Sequence, residues 1–197
     1  MRHLIVGLGN PGEEYRLTPH NLGFLAIDRL AADSGIRVNR PECGAAVGLG
    51  EIDGRPVALA KPLSYMNRSG GPVRDLVEKY ETPAERVLVI FDELALPWGA
   101  LRLRPSGSSG GHNGMASVLA ALATEDVPRL RLGIHPGRPI GDGARFVLRP
   151  LRSDELEDLD EILSQAADAV RLYLSEGAAK AMTVVNRRAG GLTPRTE

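Results

Sequence analysis

Sulfur chemistry is nearly absent from this chain. Cys43 is its one cysteine, which excludes an internal disulfide and a thiolate metal cluster and leaves a small, buried or half-buried residue as the plain expectation. Lysine is scarce as well: of 24 basic residues only Lys61, Lys79 and Lys180 are lysines. The arginine bias has a neutral explanation in genome base composition, but arginine's planar fork also suits phosphate. The net charge of −1 argues against a protein that coats nucleic acid over its whole surface, while allowing a local basic patch. No apolar run is long enough to span a bilayer, and Met1-Arg2 leads into a strand rather than a signal sequence, so a cytoplasmic location is expected.

What is present suits one globular domain. The 197 residues are 43% apolar and 25% charged, enough for a full core, with no internal repeat and no linker long enough to divide domains. His3 to Val6 predicts a buried strand, and residues 44 to 61 a hairpin turning at Asp53-Gly54. Helical spacing begins at Leu22, behind a Thr18-Pro19 cap that would place His20 in the first turn. Further helices are expected over Pro72 to Tyr80, Met115 to Ala123, Asp154 to Leu174 and Gly177 to Arg187. Along the fourth of these five, Leu156, Leu159, Leu163, Ala166, Val170 and Leu174 should line one side, opposite a solvated acidic face.

Arg86 to Phe91 predicts a central strand ended by Asp92-Glu93, and Leu101 to Arg104 and Arg129 to Leu132 two alternating ones. Pro105 to Gly111 is expected as a mobile loop and Gly133 to Gly143 as another. The fold class is α/β, a single mixed, twisted β-sheet surrounded by helices, over residues 1–189, with 190–197 as a flexible tail.

Chemistry is expected where polar groups meet glycine and proline. The segment Ile5 to Asn21 passes from a strand through Gly7, Gly9, Asn10, Pro11 and Gly12 to His20, and Asn67 and Asn113 lie beside similar glycines. The spacing of Gly7, Gly9 and Gly12 matches a dinucleotide fingerprint, but that motif needs a helix opening at the glycines, and none is indicated. Each residue taken singly also fits a cap or a turn. Together a histidine, a strand-end aspartate and three carboxamides suit water attack on an ester, since carboxamides donate and accept without changing charge. No serine sits in a nucleophile elbow, and His112 and His135 lack zinc spacing.

Five segments, G-L-G-N-P-G-x-x-Y at 7–15, T-P-H-N-x-G at 18–23, Y-M-N-R-S-G at 65–70, D-E-L-A-L-P at 92–97 and G-G-H-N-G at 110–114, closely resemble the bacterial peptidyl-tRNA hydrolase family. The resemblance runs from His3 to about Asn186 with the motifs in the family's order. It implies a monomeric, metal-independent and cofactor-free esterase that frees tRNA from peptidyl-tRNA released during translation. It also implies roles. His20 would be the base, Asp92 its orienting carboxylate, and Asn10 the group that tells a peptide from a free amine. Tyr15, Tyr65, Asn67 and Asn113 would contact the tRNA end or the peptide, and Arg104 and Arg131, helped by Arg102, the 5′ phosphate. The chain departs from the family pattern at Pro19, Tyr65 and Ala95, and in a Gly133–Pro136 stretch one residue short. Two competing readings are a non-catalytic RNA-binding relative of the same fold and a dinucleotide-binding oxidoreductase.

Overall fold

Strand β1 (His3–Gly7) lies inside the sheet because Leu4, Ile5 and Val6 are wholly buried, with Leu4 and Val6 on one face and Ile5 on the other. A strand covered on both sides is apolar throughout rather than alternating. The structure, a computed structural model, describes residues 1–187; the expected boundary at 189 and the tail 190–197 lie outside the described residues. β1 is joined by β2 (Arg40–Glu42), β3 (Ala45–Ile52), β4 (Arg55–Pro62), β5 (Val87–Pro97), β6 (Leu101–Arg104) and β7 (Arg129–His135), in the order β2-β3-β4-β1-β5-β7-β6. β1 runs parallel to β4 and β5, and β5 to β7, whereas β2–β3, β3–β4 and β6–β7 are antiparallel. The sheet is mixed, as expected.

Helices cover both faces. Ile5, Leu59, Leu88, Ile90, Leu130 and Leu132 form one core with α1 (Leu22–Ser34), α5 (Ser153–Glu176) and α6 (Ala178–Arg187). Leu4, Val6, Ala58, Val89 and Phe91 form the other with α2 (Gly70–Tyr80) and α3 (Asn113–Leu122). Each fully buried Leu or Ile contributes roughly 1.5–3 kcal/mol. Because β1, β4 and β5 are mutually parallel, the segments that follow them emerge on one edge of the sheet, where open α/β sheets place their ligands.

Several expectations need correction. Asp92-Glu93 does not end β5, which continues to Pro97 with its register against β7 shifting between Glu93 and Pro97. Thr18 does not cap α1. Its Oγ1 donates to the Tyr15 carbonyl, and Pro19–Asn21 form a separate 3-10 turn that carries His20. Leu156 is 42% exposed rather than on the inner side of α5, while Glu155 in the acidic face is buried and paired by Arg149. β7 reaches His135, past the expected loop start, and a short helix, α4 (Gly143–Leu148), follows the loop.

Candidate active site

Three loops are locked together at the sheet edge, and hydrogen bonds between asparagine side chains and the backbone do the locking. Asn10 and Asn21 close a ring: Asn10 N–H donates to Asn21 Oδ1 at 2.9 Å, and Asn21 Nδ2 donates to the Asn10 carbonyl at 3.0 Å. Both residues are buried, so these bonds are made away from competing water. Asn10 Oδ1 in turn accepts the Met66 N–H at 2.9 Å. That contact assigns the amide, because only the oxygen can face a donor. Asn10 Nδ2 is left to point elsewhere as a donor. Met66 is pressed against α3 because Gly114 has no side chain; a Cβ there would stand 2.4 Å from the Met66 sulfur.

Within this frame two imidazoles meet one carboxylate. His20 Nδ1 lies 2.9 Å from Asp92 Oδ1 and 3.0 Å from Oδ2, and His112 Nε2 lies 3.0 Å from Oδ1. The His112 proton can be placed by elimination. Its Nδ1 accepts the Met115 N–H at 3.1 Å as the cap of α3, so a neutral ring carries hydrogen on Nε2 and donates it to Asp92. His20 must likewise donate from Nδ1, which leaves Nε2 as its basic nitrogen. The His20 side chain is 13% exposed and that of Asp92 2%. Burial alone would push the Asp92 carboxyl up; hydrogen bonds from His112 and then His20, with their charge, outweigh it and hold the group well below the usual carboxylate range.

The ligand atoms of His20, Asp92 and His112 lie within 4.8 Å of one another, close enough to raise metal binding. The contacts themselves are of hydrogen-bond length, and the His112 nitrogen facing the cluster carries a proton, so it has no lone pair to give. Hydrogen bonding uses the same atoms a metal would need. The dinucleotide reading also loses its glycine. A Cβ on Gly7 would lie 2.1 Å from the Gly23 carbonyl oxygen, so this glycine lets α1 approach β1, and α1 opens only at Leu22.

The remaining candidates lie around this centre or along the far strands. Tyr65 (64% exposed) and Asn67 flank Met66, Asn113 begins α3 beside His112, and Tyr15 is half-buried in the 3-10 turn Glu13–Tyr15. Antiparallel register sets Arg102 opposite Arg131 and Arg104 opposite Arg129, so four arginines share one face. They are not equivalent. Arg131 Nη1 donates to Glu93 Oε2 at 3.1 Å, Arg104 reaches the Met182 sulfur, and Arg129 is buried with its guanidinium on the carbonyls of Gly107, Ser108, Glu125 and Val127. Arg129 therefore ties down the 105–111 loop from beneath.

His112, Asn21 and Arg129 carry no site role in the sequence reading, and Glu93 enters it only beside Asp92 at an expected strand end. The only available signal for His112 was its place between two glycines and Asn113. Pro19, a departure from the family pattern, is the first residue of the 3-10 turn, a position where a missing N–H costs nothing, and His20 beside it still reaches Asp92.

A family model described as peptidyl-tRNA hydrolase matches residues 4–191. The chain is 56% identical over 189 residues to a peptidyl-tRNA hydrolase of Solibacter usitatus, an alignment covering 96% of each. It is 49% identical over 186 residues to one of Koribacter versatilis, covering 94% of this chain and 92% of the other. A solved peptidyl-tRNA hydrolase from Acinetobacter baumannii superposes with a TM-score of 0.85 at 37% identity, covering 93% of this chain and 94% of that one.

Proposed function

The chain belongs to the peptidyl-tRNA hydrolase family and hydrolyses peptidyl-tRNA, and from that premise we propose that His20 is the general base of a direct attack by water. Nε2 of His20 takes a proton as the water oxygen adds to the ester carbonyl carbon, giving a tetrahedral intermediate. The intermediate collapses by expelling the ribose oxygen, which receives that proton. The products are a peptide with a free carboxyl group and a tRNA with a free terminal hydroxyl, returned to translation. Asp92 holds Nδ1–H and steadies the imidazolium as it forms, and His112, bonded to the same oxygen, fixes where that carboxylate points. General-base help of this kind is worth about 10²- to 10⁴-fold.

Asn10 is the peptide reader in this scheme. Its oxygen is already held by Met66 N–H, so its NH₂ is the end offered to a substrate carbonyl. Asn67, Asn113, Tyr15 and Tyr65 surround the bound terminal adenosine and the peptide, and Arg104 and Arg131 take the 5′ phosphate. The observation that carries the reading is the contact of His20 Nδ1 with both oxygens of a buried Asp92. We take the protein to work as a cytoplasmic monomer; no helix among the described residues is long and apolar enough to cross a membrane.

The test is release of free tRNA from an N-acetylated aminoacyl-tRNA and from its unblocked counterpart, each with and without chelator. The blocked ester should be cleaved at an unchanged rate in chelator while the unblocked one survives. Equal cleavage of the two, or loss of activity to the chelator, would overturn the assignment.

A further inference from the structure

Glu93 is buried at 6% exposure, and a carboxylate that deep is costly unless both of its oxygens are occupied. They are. Oε1 accepts the Ala95 N–H at 3.0 Å and Oε2 accepts Arg131 Nη1–H at 3.1 Å. The loop passes beside the second oxygen, where a Cβ on Gly110 would stand 3.5 Å from it. The Arg131 side chain is 23% exposed, and among the described residues its buried Nε has no partner. One corner of the guanidinium is thus pinned inside, and among the described residues Nη2 makes no hydrogen bond. Arg129 cannot stand in, because its guanidinium is committed to backbone carbonyls.

We propose that Glu93 is a positioning residue for tRNA: it anchors the inner corner of Arg131 so that the outer edge meets the terminal phosphate already oriented. This rests on the reading of Arg131 as a phosphate contact. The physical gain is entropic, because a long arginine side chain held in one rotamer gives up less freedom when the phosphate arrives. A carboxylate is required here. Both groups facing Glu93 are donors, and glutamine would turn its NH₂ toward one of them.

The readout is the ratio of kcat/KM for substrate carrying a 5′ phosphate to that for the same tRNA dephosphorylated, which cancels any general loss of folded enzyme. Wild type should prefer the phosphorylated substrate, and Arg131→Gln should cut the preference to what Arg104 alone supports. Glu93→Gln should lower the ratio by roughly tenfold, the worth of one charge-assisted hydrogen bond, and the double variant should lower it no further than Arg131→Gln. Equal losses on both substrates with Glu93→Gln, leaving the ratio intact, would show a merely structural residue and overturn the proposal while sparing the Arg131 reading. No preference in wild type, or one left undiminished by Arg131→Gln, would overturn both. Should Glu93→Gln fail to fold, Arg131→Lys asks the same question, since a compact ammonium cannot span Glu93 and a phosphate as a planar fork does. A ratio kept at the wild-type value by lysine would refute the need for an anchored guanidinium.

Discussion

Asp92→Asn separates charge from shape at the centre of the site. Oδ1 serves both imidazoles, and the His112 nitrogen facing it carries hydrogen, so the asparagine carbonyl has to occupy that position. Its NH₂ then sits where Oδ2 was, 3.0 Å from His20 Nδ1. A donor there favours the wrong His20 tautomer, with the proton on the nitrogen that should accept one. The charge lost is larger in effect. With about 4 Å between charge centres and an effective dielectric of about 20, the carboxylate–imidazolium attraction is about 4 kcal/mol, equivalent to about a thousandfold in rate.

Asp92 is 3% exposed, so solvent screens this little. Single-turnover cleavage of N-acetyl-aminoacyl-tRNA should therefore slow about a thousandfold with KM nearly unchanged. A variant within tenfold of wild type would refute the reasoning. Stability should follow the same group. Its folded-state pKa is depressed, so its contribution is complete above the unfolded value of about 4 and is lost as pH falls from there toward the folded value. The melting-temperature gap between wild type and Asp92→Asn should be wide at pH 7 and shrink in strong acid.

Asn10→Asp keeps an oxygen for Met66 N–H but replaces the offered NH₂ with a second oxygen. Cleavage of peptidyl-tRNA relative to aminoacyl-tRNA should fall about tenfold, and an unchanged ratio would count against the peptide-reading role. Reversing Arg104 and Arg131 to glutamate should weaken tRNA binding chiefly at low salt and flatten the salt dependence of log K by roughly one to two units; an unaltered slope would remove both from the phosphate site. Gly7→Ala puts a methyl 2.1 Å from the Gly23 carbonyl, so differential scanning calorimetry should show a melting temperature lower by about 2–4 °C for each kcal/mol of overpacking.

The elements easiest to foresee were those written in local pattern. Asp53-Gly54 marked a hairpin that forms with Ile52 opposite Arg55, and the apolar run of β1 marked a strand covered on both faces. Long-range pairing was harder to foresee. Asp92 and Glu93 resemble a strand end because charge is rarely buried, yet both are held inside by partners distant in sequence, His20, His112 and Arg131. Arg129 and Arg131 are two residues apart on one face and indistinguishable by alternation; only the loop folded over Arg129 makes one structural and leaves the other partly open. β2 is three residues long and contains a proline, too short to leave a period. What the structure does show is contact: His20 and Asp92, far apart in the chain, are hydrogen-bonded, and Asn10 is tied through Asn21 to the turn that carries His20 and through its own oxygen to Met66.

The most direct trial of that frame is His20→Ala, with single-turnover cleavage of N-acetyl-aminoacyl-tRNA and equilibrium tRNA binding measured on the same preparation. Cleavage should vanish while affinity stays within about twofold of wild type, because a general base contributes to the transition state and little to ground-state binding. Undiminished turnover in a variant that has lost the imidazole would mean that some other group activates the water.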